Sequence, residues 1–300
     1  MSERSEGTAL VPSPHTQPVQ PDGSVVGYRP QHTLPLRVEL ARQLSRRRTR
    51  LALAFLVLLP VLLLAAFEIG EQDSGGRGPT LAEMATGSGL NFAVFTLYAS
   101  TGFLLAVVVA LFFGDSVASE ASWSSLKYLL AAPVPRGRVL RQKAVVAALL
   151  SLVGLVLLTG TALLAGVLWY GAGDLVTPTG EALPFPTGLA ALGIATGYLA
   201  VHLTWIAGLA LWLSASTDAP LGAVGGAVLV SILSQILDQI PALGDARAYL
   251  PTHYARAYSD VLAEDPDWSA MTWGAFAALV YAAAFLVLAA RRFHRKDIIS

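Results

Sequence analysis

Six long apolar runs, each fenced by polar or basic residues, restrict this chain more than any other feature. They are Leu51–Phe67, Leu90–Phe113, Ala144–Tyr170, Gly188–Leu213, Leu221–Ile240 and Thr272–Ala290. A helix needs roughly 17–25 apolar residues to cross the hydrocarbon layer of a bilayer, and each run is long enough. Runs of this length and polarity read as membrane-crossing helices. The expected fold is therefore all-α: a polytopic membrane protein with six transmembrane helices. A hydrophobic content of 54%, a charged content of 13% and a mean hydropathy of +0.59 agree.

The formal net charge of zero conceals a separation. Threading the chain through six spans puts seventeen of its twenty Lys and Arg on the face that carries both termini. Only Arg77, Arg247 and Arg256 fall on the other face. Positive charge near span ends marks the cytoplasmic side, so both termini are expected to be cytoplasmic in a multi-pass protein of the plasma membrane. Trp169, Tyr170, Trp268 and Trp273 stand at span ends, where aromatic belts form. Pro60 lies inside the first run and is expected to kink it.

Several classes of chemistry are excluded. There is no cysteine, hence no disulfide, thiolate nucleophile or Cys-ligated metal. A phosphate-binding loop needs Gly-Lys-Ser/Thr, and none of Lys127, Lys143 and Lys296 follows a glycine. The chain has no nucleophile elbow and no His-Glu-x-x-His pair, and Ser124-Ser125-Leu126-Lys127 matches Ser-x-x-Lys without that site's other elements. The reading gives no catalytic and no metal-ligating set, and no nucleic-acid partner.

Residues 1–33, rich in Pro, Ser, Gln and Gly, are expected to form a disordered cytoplasmic tail. In residues 34–50, Leu36, Leu40 and Leu44 recur at helical spacing among Arg and Glu. This predicts an amphipathic elbow helix in the headgroup plane. The six-span domain then occupies 51–290, and 291–300 is a basic cytoplasmic tail. On the far side, Tyr254, Tyr258, Val261 and Leu262 predict a short helix within the connector 241–271. It either lies on the outer leaflet or dips into the membrane.

Polar residues inside spans are costly and face protein or water. Ser231, Ser234, Gln235 and Asp238 share one face of the fifth run, and Gly222 and Gly226 begin that run with a small-xxx-small pair. Two readings stand for the stripe: it lines a dimer interface or pathway, or it satisfies hydrogen bonds inside one bundle. His202, alone in the fourth run, reads as a neutral, hydrogen-bonded histidine rather than a proton relay. A Gly193-x-x-x-Gly197 pair lies in the same run.

Between the second and third runs, residues 114–143 carry an acid, small hydroxyls, paired leucines, Pro-x-Pro-Arg and a basic end. Asp115, Glu120, the Ser124-Ser125-Leu126 turn, Leu129-Leu130, Pro133-Val134-Pro135-Arg136, Leu140 and Lys143 resemble the pattern of the ABC-2 type permeases, the six-span membrane subunits of ABC transporters. Ser124-Ser125 stands where that family often has Gly-Thr. The basic stretch Arg37–Arg50 and the ending Phe293-His294-Arg295-Lys296-Asp297-Ile298 are similar as well.

The resemblance implies a dimer of permeases, same or homologous, set in membrane lipid above two ABC ATPase subunits. No cofactor is expected in this chain; ATP and Mg would belong to the partner ATPase. The loop 114–143 would form a coupling helix docked in the ATPase, with Asp115, Glu120, Ser124, Ser125, Leu129, Pro133, Pro135, Arg136 and Lys143 as its coupling residues. Most such proteins export drugs, antibiotics, peptides or lipids. The competing expectation is an ATP-independent secondary transporter or channel, against which stands the lack of paired carboxylates or repeated halves in the spans.

Overall fold

The structure is a computed structural model that describes residues 35–70, 81–122, 135–177, 180–263 and 266–295. The expected tail at 1–33, the centre of the 114–143 segment and the last five residues lie outside the described residues. Among the described residues, six helical segments are long and apolar enough to cross a membrane: Arg47–Ile69, Leu104–Ser122, Arg136–Tyr170, Phe185–Ser216, Pro220–Asp238 and Ser269–His294. A short helix α1 (Leu36–Ser45) precedes the first of them, α2 (Arg47–Ile69), and the chain turns between the two at Arg46, whose backbone is extended. Pro60 sits inside α2 without ending it.

After a five-residue helix α3 (Leu81–Ala85), the second span is built from two helices, α4 (Gly89–Thr101) and α5 (Leu104–Ser122), interrupted at Gly102. The expected span ended at Phe113, but α5 runs on for more than two turns. Those turns are rich in Ala and Ser, and their two acids are paired with bases, so nothing ends the helix there. At the other end of the segment α6 (Arg136–Tyr170) starts directly after Pro135. Residues 114–143 are thus not one loop: two helices extend into the segment from either side. At 1.5 Å per residue the 35 residues of α6 run for about 50 Å, well beyond a hydrocarbon layer of ~30 Å, so its basic first turns stand outside the lipid.

A two-strand hairpin (β1, Leu175–Val176; β2, Ala182–Leu183) leads into the fourth span, again two helices: α7 (Phe185–His202) and α8 (Thr204–Ser216). The fifth span is α9 (Pro220–Asp238) and the sixth α10 (Ser269–His294). The second span is central. Its lower helix α5 packs on α6, α8 and α9, while α4 packs on α6; α10 packs on α8, and α2 lies outermost against α6. Burial follows: 72% of the hydrophobic window of α5 is covered but only 11% of that of α2. Helices in lipid approach closely where side chains are smallest. At the crossing of α4 and α6, a Cβ on Gly89 would stand 2.5 Å from the backbone N of Val167. The pair singled out in the sequence, Gly193 and Gly197, meets nothing within 4 Å.

The short helix expected in the connector after α9 is 3-10 rather than α-helical. The connector forms 3-10 turns at Pro241–Tyr249 and Ala257–Val261, because Pro241, Gly244 (φ 49°) and Pro251 interrupt α-helical pairing. Tyr258, Val261 and Leu262 do turn inward together. The connector packs against the interiors of the second and fourth spans rather than over their ends. Tyr198 Oη, on the fourth turn of α7, donates to the carbonyl of Tyr254 at 2.5 Å, and the hydroxyls of Thr101 and Tyr258 lie 3.3 Å apart.

Candidate functional site

Two polar clusters interrupt the apolar bundle, one at each end. The first is at the face that carries both described ends of the chain. There α1, the start of α2, the end of α5 and the start of α6 converge. Arg46 Nη1 donates to Asp115 Oδ2 at 2.8 Å and to Ser119 Oγ at 2.9 Å, and Arg48 Nη1 donates to Asp115 Oδ1 at 3.0 Å. Further along α5, Glu120 accepts from Lys143 Nζ at 2.5 Å and from Arg42. Glu39 completes the ring, accepting from Arg42 at 2.5 Å, Gln43 at 3.1 Å and Lys143 at 3.4 Å.

The components differ in burial. Side chains of Lys143 and Glu120 are 2% and 3% exposed, whereas Arg48 is 66% exposed. The Arg48 contact is an exposed pair worth little. The Lys143–Glu120 pair is desolvated, so removing one member strands the other. Burial pushes the Glu39 carboxyl up, but the charge of Lys143 and the hydrogen bonds from Arg42 and Gln43 outweigh it and hold it below its usual 4.5. Burial likewise opposes the charge of Arg42, and Glu39 and Glu120 overcome it. The cluster is a clamp: one helical corner at Arg46 is bolted by opposite charges to two spans that flank the segment 123–134.

Of the coupling residues named from the sequence, Asp115, Glu120 and Lys143 meet in this clamp. Pro135 caps α6, and Arg136 Nη1 donates to the carbonyl of His294 at 3.0 Å, joining α6 to the end of α10. Ser124, Ser125, Leu129 and Pro133 lie outside the described residues. Sequence reading took Arg42, Arg46 and Arg48 as anchoring charge and did not pair them with anything. The available signal was Glu39, an acid one turn before Arg42 in an otherwise basic helix. Ser214, just past the fourth apolar run and read from the sequence as the start of a turn, lies inside α8 and carries no role in that reading. It is fully buried, and its Oγ accepts from the backbone amides of Val117 and Ala118 at 3.1 and 3.0 Å, tying α8 to α5.

The second cluster is in the other half of the bundle. The stripe on α9 points into its own chain. Gln235 Nε2 donates to the carbonyl of Gly102 at 2.6 Å and to Ser231 Oγ at 3.3 Å. Ser234 shares a 2.6 Å hydrogen bond with Thr252, and Asp238 Oδ1 lies 2.5 Å from His253 Nδ1. The face of α9 left exposed is apolar, with Leu221, Leu229, Leu233 and Ile236, and Gly222 lies on it; Gly226 packs toward Leu213. So the polar face of this span serves the bundle's interior, and a subunit seam at α9 would be formed by its apolar face.

Ser231, Gln235, Asp238, Thr252 and His253, with Thr101, Gly102, His202, Trp205 and Arg256, line a half-open cavity of about 110 Å³. Both interrupted spans border it, at Gly102 and at Leu203. The expected hydrogen-bonded histidine is only half realised. His202 is 2% exposed, its Nδ1 lies 3.5 Å from Tyr198 Oη, and its Nε2 has no partner among the described residues. Among the described residues no group of three or more His, Asp or Glu is placed to hold a metal ion.

The family described as "ABC-2 family transporter protein" matches residues 43–298, nearly the whole chain. No curated protein matches it.

Proposed function

We propose, from the premise that this chain belongs to the ABC-2 family of transporter proteins, that it is the membrane-spanning permease subunit of an ATP-driven exporter. The chain is a multi-pass membrane protein and a transport component rather than a catalyst. In this reading the ATP and its Mg are held by separate ABC ATPase subunits, and the segment 123–134 is the part that docks in them. The protein sits in the plasma membrane with both termini and the clamp in the cytoplasm, as the charge bias favours. Two permeases pair through the exposed apolar faces of α2 and α9, where Leu58, Val61, Leu62, Leu229 and Leu233 are each about half or more exposed. Drugs, antibiotics, peptides or lipids are the cargo classes that the family resemblance favours.

One observation carries this reading: the buried ion cluster that joins the helical corner at Arg46 to both helices flanking the docking segment. A push on residues 123–134 moves the ends of α5 and α6, and the clamp makes α1 and α2 move with them. Rigid elements joined by charge-assisted bonds transmit displacement, whereas a flexible loop would absorb it.

The test uses the permease co-expressed with its ATPase in proteoliposomes. Glu120→Ala is expected to leave membrane insertion and ATP hydrolysis in place while cutting transport per ATP at least tenfold. Full transport by the variant would remove the clamp from the mechanism. Full transport by the purified permease without any ATPase would replace this reading with the ATP-independent transporter or channel.

A further inference from the structure

The surface of the bundle is hollow where α6, α8 and α10 come together. Two adjoining cavities, of about 460 and 230 Å³, share Phe113, Ala148, Thr204 and Ala207 and so form one groove. Its walls are α6 and α10, and its floor is α8 with Phe113 of α5. The hollow follows from side-chain size, with Ala144 and Ala148 on one wall and Ala282 and Ala290 on the other. Beneath it α8 and α10 touch: a Cβ on Gly208 would stand 3.0 Å from the carbonyl oxygen of Ala282. At the end near the chain's termini the two walls meet, where Arg136 Nη1 donates to the carbonyl of His294.

The groove is dry by construction. The hydroxyls among its described lining residues are Ser151 and Thr204, and each donates to its own helix, at the carbonyls of Ala147 and Val201. A hollow with no polar partners holds no water, and left unfilled it forfeits the dispersion contacts of its lining, so in a bilayer hydrocarbon fills it. Charge is present at one end alone. Arg141 is the one charged residue among the described residues lining either cavity. It stands three residues before Ala144, where the third apolar run begins, and therefore at headgroup level. It is exposed, with no hydrogen bond or ion pair among the described residues. The last turn of α10, just past Ala290, adds Arg291, Arg292 and His294. From Arg141 to Leu155 the groove follows α6 for about 21 Å, more than the ~15 Å of half a hydrocarbon layer.

We propose that this groove binds an anionic phospholipid of the leaflet on the basic side, which the orientation proposed above makes the cytoplasmic one. One acyl chain lies along α8 between α6 and α10, and the phosphate accepts from the forked donors of Arg141. The far end of the chain reaches Leu203 and Thr204, the break in the fourth span. A net negative headgroup is preferred because a zwitterionic one brings its own ammonium beside the guanidinium. The site lies away from the exposed faces of α2 and α9, so it neither uses nor blocks a subunit seam there, and binding requires neither ATPase nor cargo.

The test uses the purified full chain in phosphatidylcholine nanodiscs with a trace of photoactivatable lipid. Two probes carry the same diazirine in one acyl chain and differ only in headgroup, phosphatidylglycerol or phosphatidylcholine. Light fixes each probe to what it touches, and mass spectrometry of the peptides locates it. Labelling by the phosphatidylglycerol probe is expected to concentrate on the groove segments of α6, α8 and α10. It should exceed labelling by the phosphatidylcholine probe there about fivefold, the preference that one basic residue near the surface supplies.

Arg141→Gln should bring that ratio below two, and Arg141→Lys should keep most of it. Arg50→Gln, at an exposed arginine that does not line the groove, should leave it unchanged. Ala148→Phe fills the groove from an exposed position and should cut labelling there at least fivefold without lowering the melting temperature. Equal labelling by the two probes, labelling spread evenly over all the spans, no labelling of the groove by either probe, or an unchanged ratio in Arg141→Gln would overturn the proposal. ATP-coupled transport is assayed separately, so those results would leave the permease reading standing.

Discussion

Lys143→Met tests whether the clamp is a desolvated ion pair or surface decoration. The ammonium lies 2.5 Å from Glu120 and 3.4 Å from Glu39, with only 2% of its side chain exposed. Losing one member of a buried pair typically costs about 3–5 kcal/mol, because the other charge stays behind without compensation. Arg42 also reaches Glu120 and is 40% exposed, so part of the compensation survives. The expected loss for Lys143→Met is therefore near the lower limit, about 3 kcal/mol. Glu120→Leu should cost a similar amount, since it leaves Lys143 with only the longer contact to Glu39.

The double variant removes both charges and fills the space with apolar atoms. It should lose no more than about 4 kcal/mol, a coupling of ~2 kcal/mol relative to the sum of the single changes. Denaturant unfolding of the purified protein in detergent, followed by tryptophan fluorescence, provides all three values. Single-variant costs below ~1 kcal/mol would match an exposed pair, and strict additivity would show that the two side chains do not act together; either result refutes the reasoning.

Gly89→Ala should destabilise at the upper end of the range for overpacking, about 3 kcal/mol, because the new Cβ falls 2.5 Å from backbone rather than from a yielding side chain; thermal unfolding reads this directly. Ser214→Ala takes an acceptor from two buried amides of α5 and should cost about 1–3 kcal/mol, with faster hydrogen exchange at Val117 and Ala118 as the specific signature. The Glu39 carboxyl is held below its usual 4.5, so its contribution is fully present above that value. It is lost as pH falls through the lower folded value, when the carboxyl takes up a proton. Hydrogen exchange over α1 should therefore rise as pH drops below about 4.5, after correction for intrinsic rates, and Glu39→Gln should abolish that rise.

Much of the architecture was legible from residue order alone. Apolar length counts the spans because the bilayer sets one length for all of them. A boundary was legible where a proline starts the helix, as at Pro220 beside the expected Leu221. Boundaries were not legible where helix continues past the lipid: α5 runs from Phe113 to Ser122 through polar residues whose partners are elsewhere in the chain. The breaks at Gly102 and Leu203 left no trace in hydropathy either, since both lie inside uninterrupted apolar runs.

Asp115, Glu120 and Lys143 could be singled out from the sequence as candidates. That they meet Glu39, Arg42, Arg46 and Arg48 was not legible, because those contacts join positions 67 to 104 apart in the chain. The polar stripe on α9 was visible as a direction on a helix, but a helix face has no address until its neighbours are placed. Packing turned it inward, onto Gly102 and Thr252, and left the apolar face outside. What the order of residues determined is whatever a uniform solvent can select: span number, length and polarity. The tertiary structure decided which charges meet and which polar atoms stay unmet, because hydrogen bonds and ion pairs act over a few ångströms and exist only once distant segments are brought together.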